Sequence, residues 1–232
     1  MGIYYVNNYL IEYSLFFVSL IIVSLAQIIL RAKYSKYKKI DCECNLTGRE
    51  VAEKILRENG ITDVKVVKIG GNLTDNYNDK AKTVSLSEDI YDEKSIASIS
   101  VAAHECGHAI QYKVGYAPIK LRNNIVPFVN FGNTIGYIIL VISLIFSITK
   151  LFIVGIALTA LAVVFQLITL PCEFNASKRA KKELLRMGLI TDKEHKGVGV
   201  MLGAAAFTYV AGLISGLLEI LRLVLMFSNR RD

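Results

Sequence analysis

The chain has 232 residues, 53% of them hydrophobic, with a formal charge of +7 and a mean hydropathy of +0.43. That is too apolar for an ordinary soluble domain and points to the bilayer. The basic residues cluster beside apolar segments, where they set topology and meet anionic headgroups, so no nucleic-acid partner is expected despite the charge.

Residues 9–30 form an apolar run interrupted only by Glu12 and Gln27. As a helix it spans roughly 33 Å at ~1.5 Å per residue, enough to cross a membrane. No basic stretch precedes it and no small-residue cleavage site follows, which predicts an uncleaved anchor rather than a signal peptide. Arg31, Lys33, Lys36, Lys38 and Lys39 come next; by the positive-inside rule they place the following segment in the cytoplasm and the N-terminus outside.

From about 32 to 124 the composition is polar and mixed, as in a small soluble domain. Thr47-x-x-Glu50 is a capping box that opens an amphipathic helix carrying Val51, Ala52, Ile55 and Leu56, and Asn59-Gly60 stops it. Two β-branched runs, 64–67 and 82–87, flank a turn-rich stretch and read as a small antiparallel pair. From Ser95 to about Lys113 small and apolar residues recur on a helical period.

Two apolar runs, 133–149 and 151–170, are joined by a turn at Lys150 and read as a membrane hairpin. Residues 172–197 are polar again, with Lys178, Arg179, Lys181, Lys182, Arg186, Lys193 and Lys196, which predicts the cytoplasmic side; the stretch from Glu173 onward reads as an interfacial helix that follows Leu170-Pro171. The last run, 198–227, is longer than a bilayer requires. Gly203 to Ala206 suit close helix packing, and Glu219 and Arg222 are spaced to pair on one face.

The predicted organisation is thus a transmembrane anchor at 1–31, a cytoplasmic domain at 32–124, a transmembrane hairpin at 125–171, a cytoplasmic helix and loop at 172–197, and a long membrane helix at 198–232. The four cysteines offer no disulfide framework. Cys42 and Cys44 are too close together for an easy bridge, and Cys106 and Cys172 stand in apolar or motif surroundings.

His104-Glu105-Cys106-Gly107-His108 matches H-E-x-x-H. On a helix the two histidines share a face one turn apart, so both imidazoles reach one tetrahedral Zn²⁺. Glu105 then sits beside the metal, where it can act as general base for the water that attacks a peptide carbonyl. The plain alternative is a packed, hydrogen-bonded histidine pair, but buried imidazoles need a partner to offset desolvation, and a metal is one.

A third protein ligand would leave one coordination position open. Glu173 is the favoured candidate: the motif precedes one membrane hairpin and Glu173 follows it, and two crossings return the chain to the same side. It could instead be an interfacial carboxylate paired with Arg179 or Lys178. His195, the one remaining histidine, is the second candidate, in a Lys- and Glu-rich stretch that reads as a solvated loop. Cys172 could approach the metal, whereas Cys106, two residues from each histidine, faces away.

The chain resembles a known family, the YugP-type membrane zinc metallopeptidases. The likeness runs through LTGREVAEKILRENGI at 46–61, NLTDNYN at 72–78, TVSLSE at 83–88, AAHECGHAIQY at 102–112, GYAPIKLRN at 115–123, TLPCEFNASKRA at 169–180 and AAAFTYVA at 204–211. It implies a protease distantly similar to the HtpX-type and CAAX-processing gluzincins, in which a glutamate on a later helix completes the zinc site; Glu173 stands at that place. This sequence departs from the pattern at Cys106, usually aliphatic, and at Asn175, usually aspartate. The HtpX-type aspartate that orients a histidine falls here on Ser177. The resemblance also implies that the strand at 82–87 is a substrate-binding edge strand, and that an oxyanion-stabilising group lies near the metal, with Tyr209 and Arg179 as candidates.

The expected fold class is mainly α: a multi-pass membrane protein of about four transmembrane helices with a small α+β, zincin-like cytoplasmic domain carrying the HExxH helix. The expected function is a zinc-dependent endopeptidase in the cell membrane, its active site on the cytoplasmic side. His104, His108 and Glu173 hold Zn²⁺, Glu105 is the base, and the substrate is a membrane-associated protein or peptide. The alternatives are an inactive zinc-binding scaffold, which has no need of Glu105, and a small transporter, which usually carries more intramembrane ionisable groups than Glu12, Glu219 and Arg222.

Overall fold

The computed structural model describes residues 2–228. In chain order they form α1 (Gly2–Tyr37), α2 (Gly48–Glu58), β1 (Lys65–Ile69), β2 (Asn76–Asn78), β3 (Thr83–Ser87), α3 (Glu88–Asp92), α4 (Ile96–Lys113), α5 (Ala117–Ile145), α6 (Thr149–Arg186) and α7 (Asp192–Ser228). The chain divides into two compact units. One holds the described parts of Met1–Gln27, Leu121–Thr169 and Thr208–Asp232; the other holds Ile28–Lys120 and Leu170–Phe207.

The first unit draws on α1, α5, α6 and α7, each long and apolar enough to cross a membrane. Its large apolar side chains are widely exposed, among them Tyr13, Phe17, Phe128 and Phe131. Such surfaces are tolerable in hydrocarbon and not in water. Small residues bring α5 and α6 together: a Cβ on Gly136 would lie 3.0 Å from the side chains of Leu158 and Thr159, and one on Gly155 would lie 2.6 Å from Leu140. Close backbone approach of this kind gains dispersion contacts where no hydrophobic driving force acts between helices. Glu219 and Arg222 do pair, through guanidinium bonds of 2.6 and 2.9 Å, and the Arg222 guanidinium also lies 5.6 Å from the Phe16 ring centre.

The second unit has a conventional buried core. The capping box at Thr47 and Glu50 forms at the start of α2 as the sequence predicts, and Val51, Ala52, Ile55 and Leu56 are buried on one face. A cap contributes about 1 kcal/mol and each fully buried aliphatic side chain roughly 1.5–3 kcal/mol, so packing against α4 is the larger stabiliser of α2. Gly48 is required there, because a Cβ would run into the carbonyl oxygen of Ile90. Val84, Leu86, Ile90, Ile96, Ile99, Leu184, Val198 and Met201 complete the core.

The sheet corrects the sequence reading. Its order is β1-β3-β2, with β1 parallel to β3 and β2 antiparallel to β3. The segment between the two expected strands supplies β2 itself, so the chain reverses twice and β3 enters between its neighbours. β3 is therefore central and not an edge strand, and α3 stands between it and α4.

Helix boundaries also differ from expectation: the turn between α5 and α6 falls at residues 146–148, and Lys150 lies inside α6. α6 does not stop at Leu170-Pro171 but runs on to Arg186 with Pro171 inside it. Proline's fixed φ suits a helix, and its missing N–H costs one bond to the carbonyl four residues earlier. α7 starts at Asp192 rather than near 198, so His195 lies on a helix rather than in a loop. Its start is a second capping box: the Glu194 carboxylate accepts from the Thr191 N–H at 2.8 Å, and the Thr191 hydroxyl accepts from the Glu194 N–H at 3.4 Å.

Candidate metal centre

α4 brings the motif together. The Ser95 hydroxyl caps its N-terminus, accepting from the Ser98 N–H at 3.1 Å, and the run of small residues that follows lets other backbones approach closely. One approach decides the site: a Cβ on Gly107 would lie 2.5 Å from the Ala176 carbonyl oxygen. Glycine at that position lets α4 and the end of α6 meet backbone to backbone, within the second unit.

At this crossing three side chains converge. His104 Nε2 is 3.2 Å from Glu173 Oε2 and His108 Nε2 is 3.5 Å from the same oxygen. The two imidazoles stand nearly perpendicular, 4.8 Å between centres, as expected of side chains one turn apart on a helix. One ligand atom from each of His104, His108 and Glu173 lies within 4.8 Å of the other two. Glu173 is 2% exposed and His108 8%. An imidazole pair and a carboxylate, buried and mutually facing, make a donor set that fits zinc with a coordination position left over.

The far ring nitrogens are engaged as well. His108 Nδ1 is 3.0 Å from Gln111 Oε1 and His104 Nδ1 is 3.1 Å from Ser177 Oγ. Gln111, itself wholly buried, donates from Nε2 to the Cys172 carbonyl at 2.7 Å and to Asn175 Oδ1 at 3.1 Å. Asn175 Oδ1 also accepts from Arg179 Nε at 2.7 Å.

Glu105 is buried beside the pair. Burial pushes its carboxyl above the usual 4.5; the charges of His104 and His108 oppose this, and those of Glu173 and Asp75 reinforce it. For His108 burial acts against the charged form, but the facing Glu173 carboxylate outweighs it and the imidazole is held above its usual 6.5. These are the mutual effects of a desolvated cluster of opposite charges.

The other candidate ligands do not join the donor set. The Cys106 thiol points to α2 and donates to the Ala52 carbonyl at 3.6 Å, as its spacing from the histidines predicts. Cys172 is buried and meets the Gln111 amide with its carbonyl. His195 is not in the cluster. Arg179, one of the two oxyanion candidates, is held beside the site by its bond to Asn175. Cys42 and Cys44 are free thiols with their sulfurs 2.8 Å apart; the hydrogen bond from Cys42 pulls the Cys44 thiol down to about 7.

Two residues escaped the sequence reading. Gln111 follows His108 by three positions, which places it on the same helix face, and that spacing was the available signal. Asp75, in the NLTDNYN segment, is half-buried, accepts from the Ser87 N–H at 2.7 Å and acts electrostatically on Glu105. No spacing rule in the sequence marks it.

Residues 12–228 match the model of a family described as "Putative neutral zinc metallopeptidase". The chain is 43% identical over 207 residues to "Putative membrane protease YugP" of Bacillus subtilis (strain 168), covering 89% of this chain and 92% of that protein. No solved structure matches. The expected resemblance is thereby established, and the chain belongs to the family described as "Putative neutral zinc metallopeptidase".

Proposed function

We propose that the chain is a membrane-anchored zinc endopeptidase. The observation that carries the reading is the convergence of His104 Nε2, His108 Nε2 and Glu173 Oε2 beside the buried Glu105 carboxylate. The family, the printed description of the Bacillus relative and the four apolar helices support it.

In this reading His104, His108 and Glu173 hold Zn²⁺, which when bound polarises the peptide carbonyl and acidifies the attacking water. Glu105 takes the proton of that water and passes it to the leaving amine. Its buried setting favours the protonated form and so strengthens it as a base relative to an exposed carboxylate. The second unit would form a zincin-like domain on the cytoplasmic side, a placement supported by the lysines and arginines that follow residue 30 and Pro171. Substrates would be membrane-associated proteins or peptides. An extended segment cannot add to β3, whose flanks are both occupied, so strand addition would use an outer edge of the sheet, and the edge against α4 is β2.

The test is Glu105→Gln in the detergent-solubilised protein. Zinc content is expected to stay stoichiometric while peptide cleavage falls about 10²- to 10⁴-fold. Undiminished cleavage would overturn the mechanism, and a wild-type protein that binds zinc without ever cleaving would favour the scaffold alternative.

A further inference from the structure

We propose that Gln111 and Ser177 are positioning residues that fix the tautomers of His108 and His104 for metal binding, with Gln111 also fixing the distance between the two ligand-bearing helices. The inference rests on the zinc reading above and extends it to two residues that touch no substrate.

The orientation of the Gln111 amide is decided by chemistry. A backbone carbonyl can only accept, so the atom 2.7 Å from the Cys172 oxygen must be the amide nitrogen. The amide oxygen then faces His108 Nδ1 at 3.0 Å, and an amide oxygen also only accepts. His108 Nδ1 must therefore carry a proton, which leaves Nε2 as the nitrogen able to offer a lone pair. That nitrogen points at Glu173 Oε2 from 3.5 Å. A lone pair and a carboxylate oxygen facing each other need a cation between them, which a proton or a metal ion can supply.

The same amide ties the helices. Its two donated bonds go to the Cys172 carbonyl and to Asn175 Oδ1, on either side of Glu173 along α6. One side chain on α4 thus holds a ligand on its own helix in one tautomer and brackets the ligand of the other. Gln111 is fully buried, so each of these bonds forms in a medium where leaving it unmade is expensive. Asn175 is suited to the task without being an aspartate, because a single Oδ1 receives both the Gln111 and the Arg179 donors.

Ser177 plays the matching part for His104. Its hydroxyl, 3.1 Å from Nδ1, can accept the Nδ1 proton while Nε2 faces Glu173 at 3.2 Å. A hydroxyl can also rotate to donate, so it enforces the tautomer less strictly than the amide does. Its loss should therefore matter less.

The experiment measures zinc affinity by competition with a chromophoric chelator, and the visible spectrum of the cobalt-substituted protein, for full-length wild type, Gln111→Leu, Gln111→Glu and Ser177→Ala. Gln111→Leu is expected to weaken zinc about 10- to 100-fold and to alter the cobalt bands. Gln111→Glu keeps an acceptor for His108 Nδ1 and loses the donors to α6. It should lower the apo melting temperature as Gln111→Leu does, yet retain most of the zinc affinity. Ser177→Ala, at a less buried position, should weaken zinc by a smaller factor and remains informative if Gln111→Leu fails to fold. Zinc affinity unchanged in Gln111→Leu and Ser177→Ala, or lowered equally in the Leu and Glu variants of Gln111, would overturn the positioning role. Failure of the zinc reading itself looks different: wild type would not bind zinc, or would bind it equally well after His108→Ala.

Discussion

Gly107 and Ala176 meet so closely that the missing Cβ of the glycine would sit 2.5 Å from the alanine carbonyl oxygen. The glycine Cα that would carry it and the alanine carbonyl both belong to helix backbones, which cannot yield as a flexible side chain would. Gly107→Ala should therefore separate α4 from α6. In a helix interior the exchange alone would stabilise by about 1 kcal/mol, so the expected result, a net loss of about 1–3 kcal/mol from overpacking, has the opposite sign. Zinc per protein should fall together with the melting temperature. A more stable variant with full zinc would show that the two backbones can separate without cost to the site.

Glu173→Ala removes the one oxygen shared by both histidines and should reduce zinc in the purified protein to a small fraction of wild type. His195→Ala should leave it unchanged, since His195 lies in the first turn of α7 and outside the cluster. Metal analysis of the two variants side by side checks the assignment, and the reverse pattern would exchange their roles.

Protons and zinc should compete at His108. Its imidazole is held above 6.5 in the metal-free fold, so its pairing with Glu173 contributes stability fully below the unfolded value and loses it as pH rises through the raised one. Zinc needs the unprotonated ring. The rise in melting temperature on adding zinc should accordingly be small at acid pH and grow as pH climbs through and beyond 6.5. A zinc effect of constant size across that window would count against His108 as a ligand.

Thr47→Ala and Thr191→Ala each delete the hydroxyl of a capping box and should each cost about 1 kcal/mol. Thermal denaturation with zinc saturating separates this from any effect on the metal. The two losses should add, because the caps open different helices, α2 and α7, and share no partner.

How far the sequence foretold the structure depended on whether the deciding interaction was local. Thr47 and Glu50 announce their helix, and Thr191 and Glu194 carry the same signature, but the surrounding lysines read as a loop and hid it. His104, Glu105 and His108 are fixed by spacing within one helix, and Glu173 joins them from α6, far along the chain. The sheet was harder. β-Branched runs mark strands at 64–67 and 82–87, close to the observed β1 and β3, yet whether they run parallel depends on where the intervening segment travels, and no residue pattern in either strand encodes that. Pro171 looked like a boundary because its local cost is plain, while the helix-forming residues after it outweigh one lost bond. Gln111 gave no compositional warning, since a glutamine in a core is distinguished only by what surrounds it.

The placement of β3 between two partners limits how a bound polypeptide could be gripped. If extended chains join the sheet beside α4, they meet a rail of three residues, Asn76 to Asn78, whose Tyr77 ring leans on Tyr112 at 5.3 Å. So short a rail holds only a few main-chain groups. Selection among clients would then fall less on backbone pairing than on which lengths of polypeptide are already loose and near the lipid.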